Sequence, residues 1–395
     1  MRKNLIIAHG GGPTAVINAS LYGVIKEAEK VNSIERVYGA VHGIEGVLNE
    51  HFIDLTNADA DNIDMLTYTP ASAIGSCRRK LTEEDYPVVM DIFKRHNIGY
   101  FIYNGGNDSM DTCDKVNRVA REAGMKLYTF GIPKTIDNDL AHTDHCPGFG
   151  SAARFVASVT RDLWCEVKAL PIYVTILETM GRNAGWLAAA ASLAKINDRP
   201  CAQLIYLPET AFDKDRFFSD VSNRLSRQKE LLIVVSEGLA YPDGKLLADT
   251  GFVDGFGHPV PGGTAQAMAR MLLDDMNIKT RAERPGLIGR ALSLLQSTVD
   301  RDEAIACGRY AVKAMAEGKT DRMVSIVRQS NDPYAYSLED VPLSAVANHE
   351  KTFPLEWITE NKAGITKEFE EYCKPLIGED FPAYSDFDSY YKAGL

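Results

Sequence analysis

No run of apolar residues in this chain approaches the length a membrane span requires. "NLIIAH" at 4–9 is a short strand cut off by glycines, not the core of a signal peptide or an anchor. No C-x-x-C occurs: the seven cysteines (77, 113, 146, 165, 201, 307 and 373) are scattered and odd in number, which excludes a zinc knuckle or a disulfide framework. Buried free thiols in a reducing cytoplasm are what such spacing predicts. Positive charge is in deficit, with a net charge of −11, so a general nucleic-acid or anionic-membrane surface is not expected, and any anionic ligand must be held by local features. Internal repeats and low-complexity tracts are also missing.

What is present is an ordinary soluble balance, 45% apolar and 25% charged, over 395 residues. That length exceeds one core of usual size and predicts two domains. Short β-branched and aromatic runs alternate with helical patterns. Strands are expected at 4–9, 36–42, 98–104, 126–132, 171–179, 202–207 and 231–237. Helices are expected at about 15–30, at 81–96 with Thr82 as its cap, from the turn after 104 to about 122, at about 151–165 and at 185–196. The rhythm predicts an α/β fold of doubly wound, largely parallel sheets. The glycine- and proline-rich stretch 251–264 reads as a crossing between domains or a mobile loop, 284–296 as rejoining the first sheet, and the chain beyond about 330 as irregular. Ligands of open α/β sheets bind at the carboxyl ends of the strands, where the glycine turns fall.

Two of those turns repeat one device. "HGGGPTAVINAS" (9–20) puts Gly10, Gly11 and Gly12 between a strand and a helix, as either a phosphate cradle or a tight packing turn. It is not a Walker A loop, since no G-K-S/T follows, nor a G-x-G-x-x-G. "NGGNDS" (104–109) offers Gly106, Asp108 and Ser109. Asp108 there either works with a divalent cation, excludes a larger ligand, or simply joins Ser109 in capping the next helix. In "PKTIDND" (133–139), Asp137 and Asp139 lie two apart behind Lys134 and Thr135: a base, a partner carboxylate and a cation, the parts of phosphoryl transfer. Further cations and hooks fall at strand ends. Arg78 follows a glycine turn, Arg182 follows Met180 and Gly181, and Arg284 and Arg290 flank "PGLIG". Glu237 ends "LLIVVSE", as a hydroxyl acceptor or an ordinary strand terminus.

The order G-G-x-x-S, P-x-T-I-D-N-D, M-G-R, strand-terminal Glu and an Arg-flanked L-I-G segment resembles the phosphofructokinase family over about 4–330. The resemblance implies two similar-sized domains with the active site in the cleft between them. Residues 1–140 plus about 256–300 would bind the donor phosphate, about 141–255 plus 301–330 the sugar phosphate, and 331–395 would be a C-terminal extension packed on the core. It implies transfer to the 1-hydroxyl of fructose 6-phosphate with Mg²⁺, in a homo-oligomer (dimer or tetramer) whose sugar site is shared between subunits. Asp137 would be the base, with Thr135, Asp139, Lys134 and Arg182 beside it. Gly11, Gly12, Arg78, Gly106, Asp108, Ser109 and Lys134 would hold the donor. Thr135, Asp137, Met180, Gly181, Arg182, Glu237, Arg284 and Arg290 would hold the sugar.

Within the family, ATP users resemble "GGDGS" with "PGTIDND", and pyrophosphate users resemble "GGDDS" with "PKTID". Asp108 and Lys134 match the pyrophosphate pattern, which makes diphosphate the expected donor, with ATP, or sedoheptulose 7-phosphate as acceptor, as the alternatives. The chain also departs from the family. Asn107 occupies the position of the usual metal-binding aspartate, leaving the metal to Asp108, Asp137 or water, with Asp108 the expected ligand. Tyr173 replaces a phosphate-binding arginine, and Arg290 and Ser293 replace a histidine and an arginine of the sugar site. Tyr22 and Lys26 replace effector-site arginines, which argues against nucleotide regulation.

Overall fold

The computed structural model describes residues 2–170, 174–253 and 259–385. Its strands are β1 (Lys3–His9), β2 (Ile34–Ala40), β3 (Phe52–Asp54), β4 (Ile98–Gly105), β5 (Tyr128–Pro133), β6 (Val174–Thr179), β7 (Leu204–Tyr206), β8 (Leu231–Ser236), β9 (Thr280–Glu283), β10 (Arg322–Asn331) and β11 (Tyr334–Pro342). A seven-stranded sheet runs β11-β10-β5-β4-β1-β2-β3, parallel except for its two edge pairs. A four-stranded sheet runs β9-β6-β8-β7 and is parallel throughout.

The central strands are apolar along their whole length because both faces are covered. Ile6, Ala8, Phe101 and Tyr103 point to one layer, with Phe93 and Met110 from helices 85–95 and 107–122. Leu5, Ile7, Tyr100 and Ile102 point to the other, with Leu21, Val24 and Val312. Period-two alternation thus feeds two cores rather than one core and a wet face. The principal helices are α1 (Ile17–Ala28), α2 (Asp85–Arg95), α3 (Asn107–Glu122), α4 (Phe149–Ala169), α5 (Lys214–Leu225), α6 (Thr264–Met276) and α7 (Thr298–Ala316).

Several elements differ from the sequence expectation. The elements at 264–283 join the second sheet and those at 301–330 the first, the opposite of the expected assignment. Ala265, Met268 and Leu272 of α6 bury under β6 and β8, and β9 extends that sheet. Its sequence, Thr-Arg-Ala-Glu, carries no strand signal, because an edge strand this short is held by backbone pairing alone. Cys307, Ala311 and Val312 of α7 pack on the first sheet, which β10 and β11 then complete. The chain beyond 330 is therefore not irregular at its start: β11 is the outer half of a hairpin. Residues 249–253 pair antiparallel with 259–261 rather than crossing between the sheets, and 254–258 of that stretch lie outside the described residues. Only Trp186–Ala189 of the expected 185–196 helix is α-helical; a 3₁₀ turn follows, then a short strand from Lys195. Trp186–Ala191 is buried on every side, so packing rather than propensity sets the backbone there. Residues 284–296 form two short turns beside the cleft. Helix α2 begins at Asp85, whose carboxylate accepts from the Thr82 amide (2.8 Å); Thr82 is not the cap. Residues 171–173, including Tyr173, and the tail from 386 lie outside the described residues.

Two features brace the cleft, an aromatic cluster and a buried charge network within the first sheet's side. Ring contacts surround Trp186, with Phe353 at 5.0 Å, Trp357 at 6.0 Å and Tyr372 at 5.7 Å between centroids, so the C-terminal extension fills the space between the domains. Below the cleft, buried His145 bridges Asp144 (2.7 Å) and Glu303 of α7 (2.6 Å), while Arg328 of β10 holds Asp144 (2.9 Å). Burial opposes the imidazolium, but Glu303 and Asp144 outweigh it and raise His145 to about 9. Its folded value lies above the ordinary 6.5, so this contribution is complete below that pH and disappears as pH rises through about 9. Glu303→Ala strands a buried cation and should cost about 3–5 kcal/mol in urea unfolding at neutral pH, with the loss shrinking in alkali. A loss under about 1 kcal/mol would remove the network from the account of stability.

Candidate active site

The two sheets point the carboxyl ends of their strands at one another. From the first sheet come the loop after β1, the turn after β4 and the segment after β5; from the second come the turns after β6, β8 and β9. Between them lies a cleft of about 390 Å³. Of the residues expected from sequence, Gly11, Gly12, Arg78, Gly106, Asp108, Ser109, Lys134, Thr135, Asp137, Asp139, Met180, Arg182, Glu237, Arg284 and Arg290 line it, together with Asn107. Gly181 stands behind the lining, at φ +124°, its carbonyl accepting from the Ser236 hydroxyl. Ser293 does not line the cleft.

The donor side is built around the glycine loop. Buried Lys134 donates to the Gly12 carbonyl at 2.7 Å. The Arg290 guanidinium lies so close that a Cβ on Gly12 would fall 2.6 Å from its Nη1 and 3.7 Å from Nη2 of Arg78. Arg290, expected at the sugar, therefore stands at the glycine loop. Burial lowers Lys134 to about 8, and Arg290 adds to that shift. Burial and then Arg78 lower Arg290 in turn. Three mutually repelling cations at one loop make a site for a compact polyanion. Helix α3 opens at Gly106 with no side-chain cap, so Asp108 and Ser109 do not serve as one. Asp108 pairs with Lys80 (3.2 Å) and its carboxylate remains about a third exposed.

The segment after β5 carries the carboxylates. Thr135 Oγ1 accepts from the Asp137 amide at 3.1 Å, a local turn that fixes the loop. Asp137 Oδ1 is buried without a hydrogen-bond partner. Burial first, then Asp139 and Glu237, push Asp137 up to about 7 against the pull of Lys134 and Arg182. Asp139 is also raised, by burial, with the Thr135 hydroxyl opposing the shift. A carboxylate poised near neutrality with a free buried oxygen is suited to take a hydroxyl proton. Opposite, Arg284 pairs with Glu178 at 3.0 Å and reaches Glu237 at 3.9 Å, so a cation stands between two carboxylates on that side.

Sequence reasoning missed Asn183 and Glu350, which also line the cleft. Asn183 directly follows the Met-Gly-Arg turn and could have been included by adjacency. Glu350 comes from the C-terminal extension, and no motif near it announces a site.

The phosphofructokinase family model matches residues 4–315. A relative from Halomonas elongata named pyrophosphate–fructose 6-phosphate 1-phosphotransferase is 40% identical over 395 residues, covering 98% of this chain and 94% of the relative. Another of that name, from Xanthomonas campestris pv. campestris, is 41% identical over 388 residues, covering 96% and 92%. The crystal structure of a pyrophosphate-dependent phosphofructokinase from Nitrosospira multiformis superposes with a TM-score of 0.88 at 40% identity, covering 97% of this chain and 94% of that one.

Gly238, just past Glu237, tests how tightly the second sheet holds its side of the cleft. An added Cβ would lie 1.7 Å from the Arg182 carbonyl oxygen, which is backbone and has little room to move. Gly238→Ala should lower unfolding stability by about 1–3 kcal/mol in a thermal melt, by displacing the Met180–Arg182 turn. An unshifted melt would mean this turn is loosely held.

Proposed function

The chain belongs to the phosphofructokinase family, and on that premise we propose that it transfers a phosphoryl group reversibly between pyrophosphate and the 1-hydroxyl of fructose 6-phosphate. The observation that carries this reading is the donor side of the cleft. Lys134, Arg78 and Arg290 crowd the glycine loop, and the Asp108 carboxylate lines the same cleft. The three cations match a small, highly charged donor. Asp108 repels the extra phosphate of a nucleotide and fills its space.

In the forward direction the 1-hydroxyl gives its proton to Asp137 as its oxygen attacks phosphorus. The new P–O bond forms to the sugar, the anhydride P–O bond breaks, and inorganic phosphate leaves. Lys134, Arg78 and Arg182 stabilise charge on the transferring group, and Thr135 and Asp139 orient the base. Met180, Glu237 and Arg284 hold the sugar phosphate. Exchanging one phosphoanhydride for a phosphate ester leaves little driving force, so the reaction runs both ways.

The donor set also fits Mg²⁺, which takes oxygen ligands and one or two carboxylates beside phosphate oxygens. Asn107 Oδ1 is buried without a partner, and the Asp108 carboxylate is next to it in the chain. Among the described residues no group of three or more acidic, His or Cys side chains forms a closed cage, in keeping with a metal held largely by its phosphates. Asn107 and Asp108 would hold the ion, which would neutralise donor charge. Arg284, half exposed at the rim, and exposed Leu287, Ile288 and Leu294 (63%, 60% and 88%) support a homo-oligomer in which a second subunit covers the sugar site. Seven free thiols support a reducing, cytoplasmic setting.

Asp137→Asn should lower kcat by about 10²- to 10⁴-fold in both directions with little change in the KM for fructose 6-phosphate. In the unmodified enzyme only the ionised carboxylate accepts the proton, so kcat/KM should fall as pH drops through about 7. A rate flat through that range would remove Asp137 as the base. Donor choice is read by supplying pyrophosphate or ATP alone. Asp108→Gly with Lys134→Gly should cut kcat/KM for pyrophosphate about 10- to 100-fold, the loss of one charge-assisted bond, and open the site to ATP. Turnover with ATP alone in the unmodified protein, or none in reverse from fructose 1,6-bisphosphate and phosphate, would overturn the donor assignment.

A further inference from the structure

Residues 348–353 lie beyond the part of the chain that the family model matches, yet they run along the lip of the cleft and bond to elements on both sides of it. The Asn348 side chain donates to Asp111 of α3 at 3.1 Å. One turn earlier on that helix, Asn107 Nδ2 donates to the His349 carbonyl at 2.8 Å. Glu350 bridges antiparallel to Leu140, and the Lys351 amide donates to the Asp139 carbonyl at 2.7 Å. The Lys351 ammonium turns inward beneath the Asp137 loop. It donates to the Asp144 carbonyl (2.8 Å), the Thr143 carbonyl (3.2 Å) and Asn138 Oδ1 (3.4 Å), and lies 5.1 Å over the Trp186 ring. On the far side, Asn183 reaches the Glu350 carboxylate at 3.3 Å, and the Phe353 amide donates to Glu209, which also accepts from Gly185.

This strap therefore fixes three parts against one another: the start of α3 with Asp108, the loop with Asp137 and Asp139, and the turn with Arg182. Phosphoryl transfer depends on their relative placement, where errors near 1 Å cost about 10²-fold. We propose that Asn348–Lys351 is a positioning strap for the reaction and that Asn107 is its latch. That role accounts for an amide at position 107. The amide donates to the His349 carbonyl and keeps an unpartnered buried oxygen, which a carboxylate could not do. An aspartate would set oxygen against oxygen at the same spot.

The inference rests on the proposed reaction, and its decisive variant is Asn107→Asp in the full-length protein. Were the residue merely a weakened metal ligand, restoring a carboxylate would raise kcat and leave the strap in place. As a latch, its loss should speed amide hydrogen exchange in 347–353 and at 138–140 at least tenfold. It should lower kcat at least tenfold while the KM for fructose 6-phosphate stays within about twofold. Asn348→Ala, which cuts only the rim bond to Asp111, should move both readouts the same way by a few-fold and serves if the first variant does not fold. Unchanged exchange, or an Asn107→Asp enzyme as fast as the parent, overturns the strap. If the parent turns over with ATP and not with pyrophosphate, the donor reading fails on its own. The strap is then judged by exchange and by kcat with the donor that works.

Discussion

The heart of the cleft depends on burying Asp137, Asp139 and Lys134 together without letting the lysine pair with either carboxylate. Asp137 has an unpartnered buried oxygen a short distance in sequence from Lys134, yet Lys134 is spent on the Gly12 carbonyl rather than on either aspartate. A direct ion pair would have pulled Asp137 far below neutrality and left it a poor base. Held apart by backbone, the carboxylates raise one another and the cations lower one another, so both sets are primed for a ligand that supplies the missing charges. The rigid sheets on either side resist the collapse that would relieve this tension.

Two open sheets facing each other are a natural way to build such a site. Each ends its strands in turns whose backbone amides and short polar side chains are already exposed, and neither can close over the cleft without breaking its own core. One half contributes the glycine loop with Lys134, Arg78 and Arg290, the other Arg284 beside Glu178 and Glu237. In the proposed reaction, discrimination between diphosphate and a nucleotide rests on local matters, the acidic side chain in one turn and the lysine in another.

The parts legible from sequence were those in which local chemistry and global fold agree. "NLIIAH" and "IGYFIYN" read as strands because both faces are buried, and the glycine turns after them read as ligand loops because buried strands must end somewhere. Asp137, Asp139 and Lys134 came from one heptapeptide. What stayed hidden was decided by tertiary contact. Thr280–Glu283 is a strand only because β6 offers an edge, and Trp186–Ala191 adopts tight turns because aromatic rings surround it. Arg290 was recognised as a site residue, but its approach to Gly12 is a matter of how the turns at 284–296 fold back. Glu350 and Lys351 carry no signal, since their partners lie some two hundred residues away.

The order of strands in the large sheet has a bearing on how the chain is made. Strand β5 pairs with β10 on its outer side, and β10 is followed by β11 at the edge. Nearly two hundred residues separate β5 from β10, and the whole second sheet is inserted between them. During synthesis from the amino end, the first sheet therefore waits with an apolar edge unpaired while the second sheet emerges and folds. Such an edge is a template for pairing with other nascent chains. Crowding on a polysome, rather than the stability of the finished enzyme, is where this topology is most exposed, and a holding chaperone bound to β5 would guard the seam that stays open longest.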